Sequence, residues 1–185
     1  VISMDIRSRE IGRHPQYYEK PGGYNCHYYY ANGGHDYFIS YESYDCRALF
    51  GFIRLRFVEE NNMTKFDILK GRGMIRELHV YGDTQSVGVV SNNSKGCQHK
   101  GIGKGLLWLA EKKTMEQGLK GIVVISGEGV KEYYEKNGYK DIDTFMVKDF
   151  PLWKVWFYYL KAKYYYGCLF IFGIILSFTC ILVAF

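Results

Sequence analysis

The stretch GCQHKGIGKGLL, Gly96 to Leu107, sets Gly101, Gly103 and Gly105 beside Lys100 and Lys104, just ahead of an apolar helical pattern. Leu106, Leu107, Leu109, Ala110 and Met115 follow at helical spacing, and Gly118 stops the run. A helix beginning here presents unpaired N–H groups and the positive end of its dipole. Phosphate is favoured at such an end, and glycines let it approach the backbone. Taken alone, the same residues read equally well as a solvated loop with surface lysines. The spacing excludes two familiar cradles. It is not GxxxxGK[ST], and it is not a GxGxxG opening a first βαβ unit, because strands precede it in hairpin order.

Working outward, residues 36–42 (DYFISYE) and 48–60 (ALFGFIRLRFVEE) alternate apolar and polar side chains across SYDCR, as a hairpin does. GMIRELHVYG (73–82) is a third strand, and a polar loop runs from Asp83 to Lys100. Downstream, GIVVIS (121–126) is a short apolar run between glycines, the mark of a buried central strand. GVKEYYEKNG (129–138) predicts a short helix capped by Gly138, and 139–150 supplies a last strand. Residues 1–36 read as an irregular lead-in. The order predicts a mixed α/β (α+β) sheet with a glycine-rich strand-to-helix junction at its middle.

An apolar fraction of 48% with 23% charged residues excludes a disordered chain. The net charge of +5 favours anionic partners such as nucleic acid, phosphorylated cofactors or anionic lipid. Five cysteines, an odd number with no CxxC pair, speak against a disulfide scaffold or a metal framework, so no metal ligand is expected.

QHKGIG (98–103) resembles the Q/RxxGxG/A pyrophosphate signature of the GNAT acetyltransferases, and YYEKNGY (133–139) looks like that family's tyrosine element, about thirty residues later. Longer strings narrow the likeness. DIRSREIG (5–12), YFISYE (37–42), GFIRLR (51–56), IRELHVYG (75–82), QHKGIGKGLL (98–107) and VISGEGVKEYYEKNGYK (124–140) are similar to the C-terminal region of the Elongator catalytic subunit family. The resemblance implies a GNAT acyl-CoA N-acyltransferase fold and acetyl-CoA as cofactor. It also implies service in carboxymethylation of the tRNA wobble uridine. S-adenosylmethionine and a 4Fe–4S cluster would belong to an upstream radical domain, since no CxxxCxxC run occurs in these residues. The implied partners are tRNA, through its anticodon loop, and other Elongator subunits.

By position, the resemblance places the pantetheine arm and acetyl group on the backbone of Glu77, Leu78, His79 and Val80. The pyrophosphate falls on Gln98, His99, Lys100, Gly101, Ile102, Gly103 and Lys104. Tyr134 faces the cofactor sulfur, with Tyr133 beside it. The family usually has an apolar residue where Lys104 stands, so this loop is more basic. Each position also has a plainer reading. In a chain with 18 Tyr, Tyr133 and Tyr134 are core aromatics by default, and Tyr28, Tyr29 and Tyr30 are a packed cluster rather than a base-stacking platform. His79 reads as a half-buried strand residue, and Glu77 as a surface partner of Arg54 or Arg76. Two other functions remain open: a plain lysine or amine acetyltransferase, and a non-catalytic acetyl-CoA-binding module tethered to a membrane.

The expected organisation is a linker from an upstream domain (1–36), the acetyltransferase domain (37–150), an aromatic and basic juxtamembrane segment (151–163) and a transmembrane tail anchor (164–185). As a helix, residues 164–185 would be roughly 33 Å long, enough for a hydrocarbon core of ~30 Å. Trp153, Trp156, Tyr158 and Tyr159 read as an interfacial belt. That predicts a membrane-anchored protein with its catalytic domain in the cytosol, the mitochondrial outer membrane favoured over the endoplasmic reticulum.

Overall fold

The computed structural model describes residues 4–59, 66–81 and 101–165. After a short helix α1 (Ile6–Arg9), the strands are β1 (Gly22–Ala31), β2 (Gly34–Ser43), β3 (Leu49–Val58) and β4 (Arg72–Val80). Helix α2 (Ile102–Glu116), β5 (Gly121–Ile125), α3 (Lys131–Lys136), β6 (Lys140–Ile142) and β7 (Phe145–Asp149) follow. Among the described residues these strands form one seven-stranded sheet in the order β1-β2-β3-β4-β5-β7-β6. Only β4 and β5 run parallel, so the sheet is mixed α/β as expected.

Most elements begin and end where local chemistry requires. The β2–β3 hairpin, β4, β5 and both predicted helices lie within a few residues of their expected bounds. Helix α2 ends on Gly118 at φ +75° and α3 on Gly138 at φ +84°. At the second, Gly138 N–H reaches the Glu135 carbonyl at 2.9 Å and Tyr139 N–H reaches Tyr134 at 3.1 Å. This pair of bonds closes a helix through a left-handed residue that glycine adopts without a Cβ penalty.

The expectations for both edges of the sheet needed correction. Residues 22–31 are not irregular. They pair with β2 over ten positions, joined by Asn32 and Gly33, both at positive φ, in a two-residue turn. Tyr28, Tyr29 and Tyr30 on this edge strand are 39–55% exposed, so they are not a closed core cluster. The last predicted strand is a hairpin, β6 and β7, broken at Asp143 with φ +56°.

The core lies between α2 and the sheet, around Phe50, Leu49, Ile53, Leu55, Ile75, Leu106, Leu107 and Met146. Residues 152–165 are helical. Val155 enters the core, Tyr158 packs against it, and the Tyr159 ring stands 3.2 Å from where a Gly118 Cβ would be. The aromatic run thus has one packing face, while Trp153 and Trp156 are exposed. Among the described residues no helix is long and apolar enough to cross a membrane. The expected localisation at the mitochondrial outer membrane or endoplasmic reticulum is corrected accordingly. The expected tail anchor (164–185) falls, from residue 166 on, outside the described residues.

Candidate acyl-CoA site

The β4–β5 ladder covers Arg72 to Ile75 against Gly121 to Val124 and then stops. Beyond it, β4 continues along β3, with Glu77 opposite Arg54 and Val80 opposite Gly51. A register shift leaves Arg76 as an extra residue on β4, between the Arg54–Glu77 and Leu55–Ile75 pairs. Such a bulge bends a strand and increases its twist. The sheet therefore opens as a wedge between Arg76–Val80 and the end of β5. Within that stretch Leu78 packs against the core, while His79 is exposed, stacks on Phe52 (ring centroids 6.0 Å) and meets the tilted ring of Tyr81 (4.4 Å). Glu77 lies 3.6 Å from Arg54 on the surface, and Arg76 lies 3.6 Å from Asp36.

Helix α2 starts at the mouth of this wedge. Its N-cap, Gly101, is at φ +70°, and no side chain among the described residues caps the first turn, which holds no acidic residue. The first helical N–H groups of Ile102, Gly103 and Lys104 precede the first intrahelical bond, Gly105 N–H to the Gly101 carbonyl at 3.0 Å. Ile102 is buried and Lys104 exposed.

The three glycines do different things. A Cβ on Gly101 would meet no described atom within 4 Å. A Cβ on Gly103 would lie 2.9 Å from the Tyr133 hydroxyl and 3.5 Å from a Val80 methyl. A Cβ on Gly105 would collide with the Tyr24 hydroxyl. Of the three, only Gly101 has its side of the backbone clear of described atoms. At Gly103 three predicted pieces converge: the end of β4, the first turn of α2 and the tyrosine helix α3.

Tyr133 and Tyr134 stand edge-on, ring centroids 5.4 Å apart. The Tyr133 hydroxyl is buried and has no hydrogen-bond partner among the described residues, as is the Ser126 hydroxyl just past β5. An orphaned buried phenol beside an uncapped helix turn is the kind of polar group a ligand satisfies. Burial pushes the Tyr133 phenol up, and burial plus the neighbouring Tyr133 pushes Tyr134 up to about 12. Both are neutral near pH 7, hence proton donors rather than bases. Tyr134 is 5% exposed, and its ring also meets Tyr139 at 5.6 Å. Gln98, His99 and Lys100 lie outside the described residues. Sequence reasoning passed over Ser126, the pairing of Arg76 with Asp36 rather than Glu77, and the filling of Gly105 by Tyr24, because each depends on where another strand ends or lies.

The class defined by these features is a mixed α/β domain with a wedge-shaped opening between two parallel strands, headed by a glycine-started helix. No protein-family model matches the chain. The chain is similar to Elongator complex protein 3: 39% identical to that of Bos taurus over 153 residues, covering 80% of this chain and 27% of the relative. The Schizosaccharomyces pombe protein is 39% identical over 152 residues, covering 78% of this chain and 27% of the relative. Among solved structures, the archaeal Methanocaldococcus infernus Elp3 with an N-terminal deletion superimposes with a TM-score of 0.64 at 34% identity, covering 78% of this chain and 35% of the other. The chain thus spans about a quarter of the length of the curated relatives it matches.

Proposed function

We propose that this chain is a GNAT-type acetyltransferase domain of a tRNA-modifying enzyme. It binds acetyl-CoA in the β4–β5 wedge and serves carboxymethylation at C5 of wobble uridine 34. A radical S-adenosylmethionine domain with a 4Fe–4S cluster, outside these residues, is its partner in that reaction. The observation that carries the reading is the buried Tyr133 hydroxyl against Gly103, which, like the first-turn N–H groups of α2, has no side-chain partner among the described residues. The similarity to Elongator complex protein 3 supports tRNA and other Elongator subunits as partners.

The residues present fit acetyl-CoA. Ile102, Gly103 and Lys104 offer backbone donors and a cation for its phosphates, with Gln98, His99, Lys100 and Gly101 completing the loop. The backbone of Glu77, Leu78, His79 and Val80 lines the pantetheine side and aims N–H groups where a thioester carbonyl gains charge. Tyr134 holds a proton for the sulfur, and Tyr133 orients beside it. Acetyl-CoA, when bound, supplies the acetyl group as an activated thioester.

Thermal shift with acetyl-CoA and desulfo-CoA tests this. A ligand at 100 times its Kd adds roughly 2.7 kcal/mol of stability. Gly101→Asp puts a carboxylate where no described atom stands within 4 Å, and Gly103→Asp adds crowding against Tyr133. Both are expected to abolish the shift. A folded wild-type chain that shifts with neither ligand overturns the reading.

A further inference from the structure

Behind the tyrosine pair lies a charged cluster that the proposed chemistry leaves unused. Lys148 of β7 donates from Nζ to both carboxylate oxygens of Glu111, at 2.8 and 3.0 Å, and to the Asn137 carbonyl at 2.9 Å. Tyr139 donates its hydroxyl to Glu111 Oε1 at 3.1 Å. Glu111 sits on the packed face of α2 and is 8% exposed. Asn137 is the C-cap residue of α3. One ammonium and one carboxylate therefore fasten α2, the end of α3 and β7 together.

The contacts continue to the phenols. Asn137 Nδ2 donates to the Tyr133 carbonyl at 2.7 Å. The rings of Tyr139, Tyr134 and Tyr133 follow one another at centroid distances of 5.6 and 5.4 Å. Glu111 is also fixed from the helix side, since α2 carries both it and Gly103, the residue the Tyr133 hydroxyl abuts. The ring of tethers closes on itself: Gly103 to Glu111 along α2, Glu111 to Lys148, Lys148 to Asn137, and Asn137 back to Tyr133.

A pair with a buried acid contributes little net stability, because desolvation offsets the attraction. What this one supplies is geometry. The three donors of Lys148 have three acceptors on two elements, so α3 cannot slide along α2 without breaking at least one bond. We propose that Lys148 and Glu111 are positioning residues that set the Tyr133–Tyr134 pair against the first turn of α2. The proposal rests on the acetyl-CoA reading of that turn, although the bonds of Lys148 run to Glu111 and Asn137 and not to the turn itself. Lys148 and Glu111 are 37 positions apart and on different elements, so no local motif joins them.

The test uses the full chain with Lys148→Met, Lys148→Arg and Glu111→Gln, each alone and combined with Tyr134→Phe. Acetyl-CoA affinity is measured by calorimetry, thioester cleavage by thiol release, and amide hydrogen exchange across α3. Lys148→Met is expected to leave Kd within about twofold and to slow cleavage by about tenfold, the scale of a sub-ångström misplacement. Lys148→Arg is expected to restore most of that rate. In the Tyr134→Phe background the lysine change is expected to cost nothing further. Equal rate losses in both backgrounds, or none in either, overturn the proposal. If the wild-type chain binds no acetyl-CoA, the acetyltransferase reading falls by itself. Exchange then decides the tether: faster exchange at Asn137, Gly138 and Tyr139 with unchanged β5 and β7 supports it, and unchanged α3 protection overturns it.

Discussion

At Tyr134 a single phenol carries two separable consequences of burial. Its proton is held to about 12, so at neutral pH the group can give a proton but not take one. Tyr134→Phe is expected to slow acetyl-CoA turnover by about 10²-fold, the low end for a proton donor, with Kd within about twofold. Single-turnover thiol release beside calorimetry checks this, and an undiminished rate returns Tyr134 to a packing role. The second consequence concerns stability. An unfolded tyrosine titrates near its ordinary 10, whereas the folded Tyr134 keeps its proton to about 12. Below pH 10 both states are protonated and the group's contribution is fully present. As pH rises from 10 to 12 the unfolded state ionises first, so stability falls across that window. Urea midpoints measured from pH 9 to 11.5 are expected to drop, and less steeply in Tyr134→Phe. Tyr139, raised by burial and by the nearby Glu111, acts in the same direction.

An element is set partly by its ends, and α3 shows this best. Six residues are too few for a helix to hold itself. It is kept by the left-handed Gly138, the Tyr134–Tyr139 ring contact across the cap, and the Asn137 carbonyl held by Lys148. A Cβ on Gly138 would meet nothing nearer than Lys148 Cε at 3.7 Å, so crowding is not the issue. The cost is the backbone conformation, and Gly138→Ala is expected to destabilise by about 1 kcal/mol. Urea unfolding with an unchanged m-value checks it, and a neutral or stabilising result contradicts the cap. The edge strand β1 is set differently. Its residues bury little, and what holds it is a ten-position ladder nucleated by the Asn32–Gly33 turn.

Across the whole molecule, the N-terminal segment is tied into the sheet by charge. Arg9 of α1 pairs with Glu42 of β2, both under 10% exposed, and also donates to the Cys46 carbonyl at 3.2 Å. Asn25 of β1 and Ser40 of β2 donate to the other oxygen of Glu42. Removing one member leaves a buried charge without its partner. Arg9→Met is therefore expected to cost about 3–5 kcal/mol, and Arg9→Met with Glu42→Leu less than the sum of the single changes. Equilibrium urea unfolding decides it. A loss under about 1 kcal/mol for Arg9→Met would mean that residues 5–12 are appended to the fold rather than built into it.

Local patterning by itself determined α2, α3 and strands β2 to β5. Apolar periodicity reports the face an element buries, and a glycine past the last turn reports where a helix stops. The glycine-rich stretch and the YYEKNGY string stand out for the same reason, since each is contiguous. β1 was not, because an exposed edge strand has no buried face to print a pattern, although Asn32–Gly33 was an available turn signal. Only the tertiary structure showed that Gly103 and Gly105 are filled by tyrosines of this chain while Gly101 is clear of described atoms. Only it showed that residues 152–165 pack on the body, and that Lys148 meets Glu111. Each of these depends on which distant element arrives at a given face, and that is decided by long-range strand pairing and core packing, which neighbouring residues do not encode.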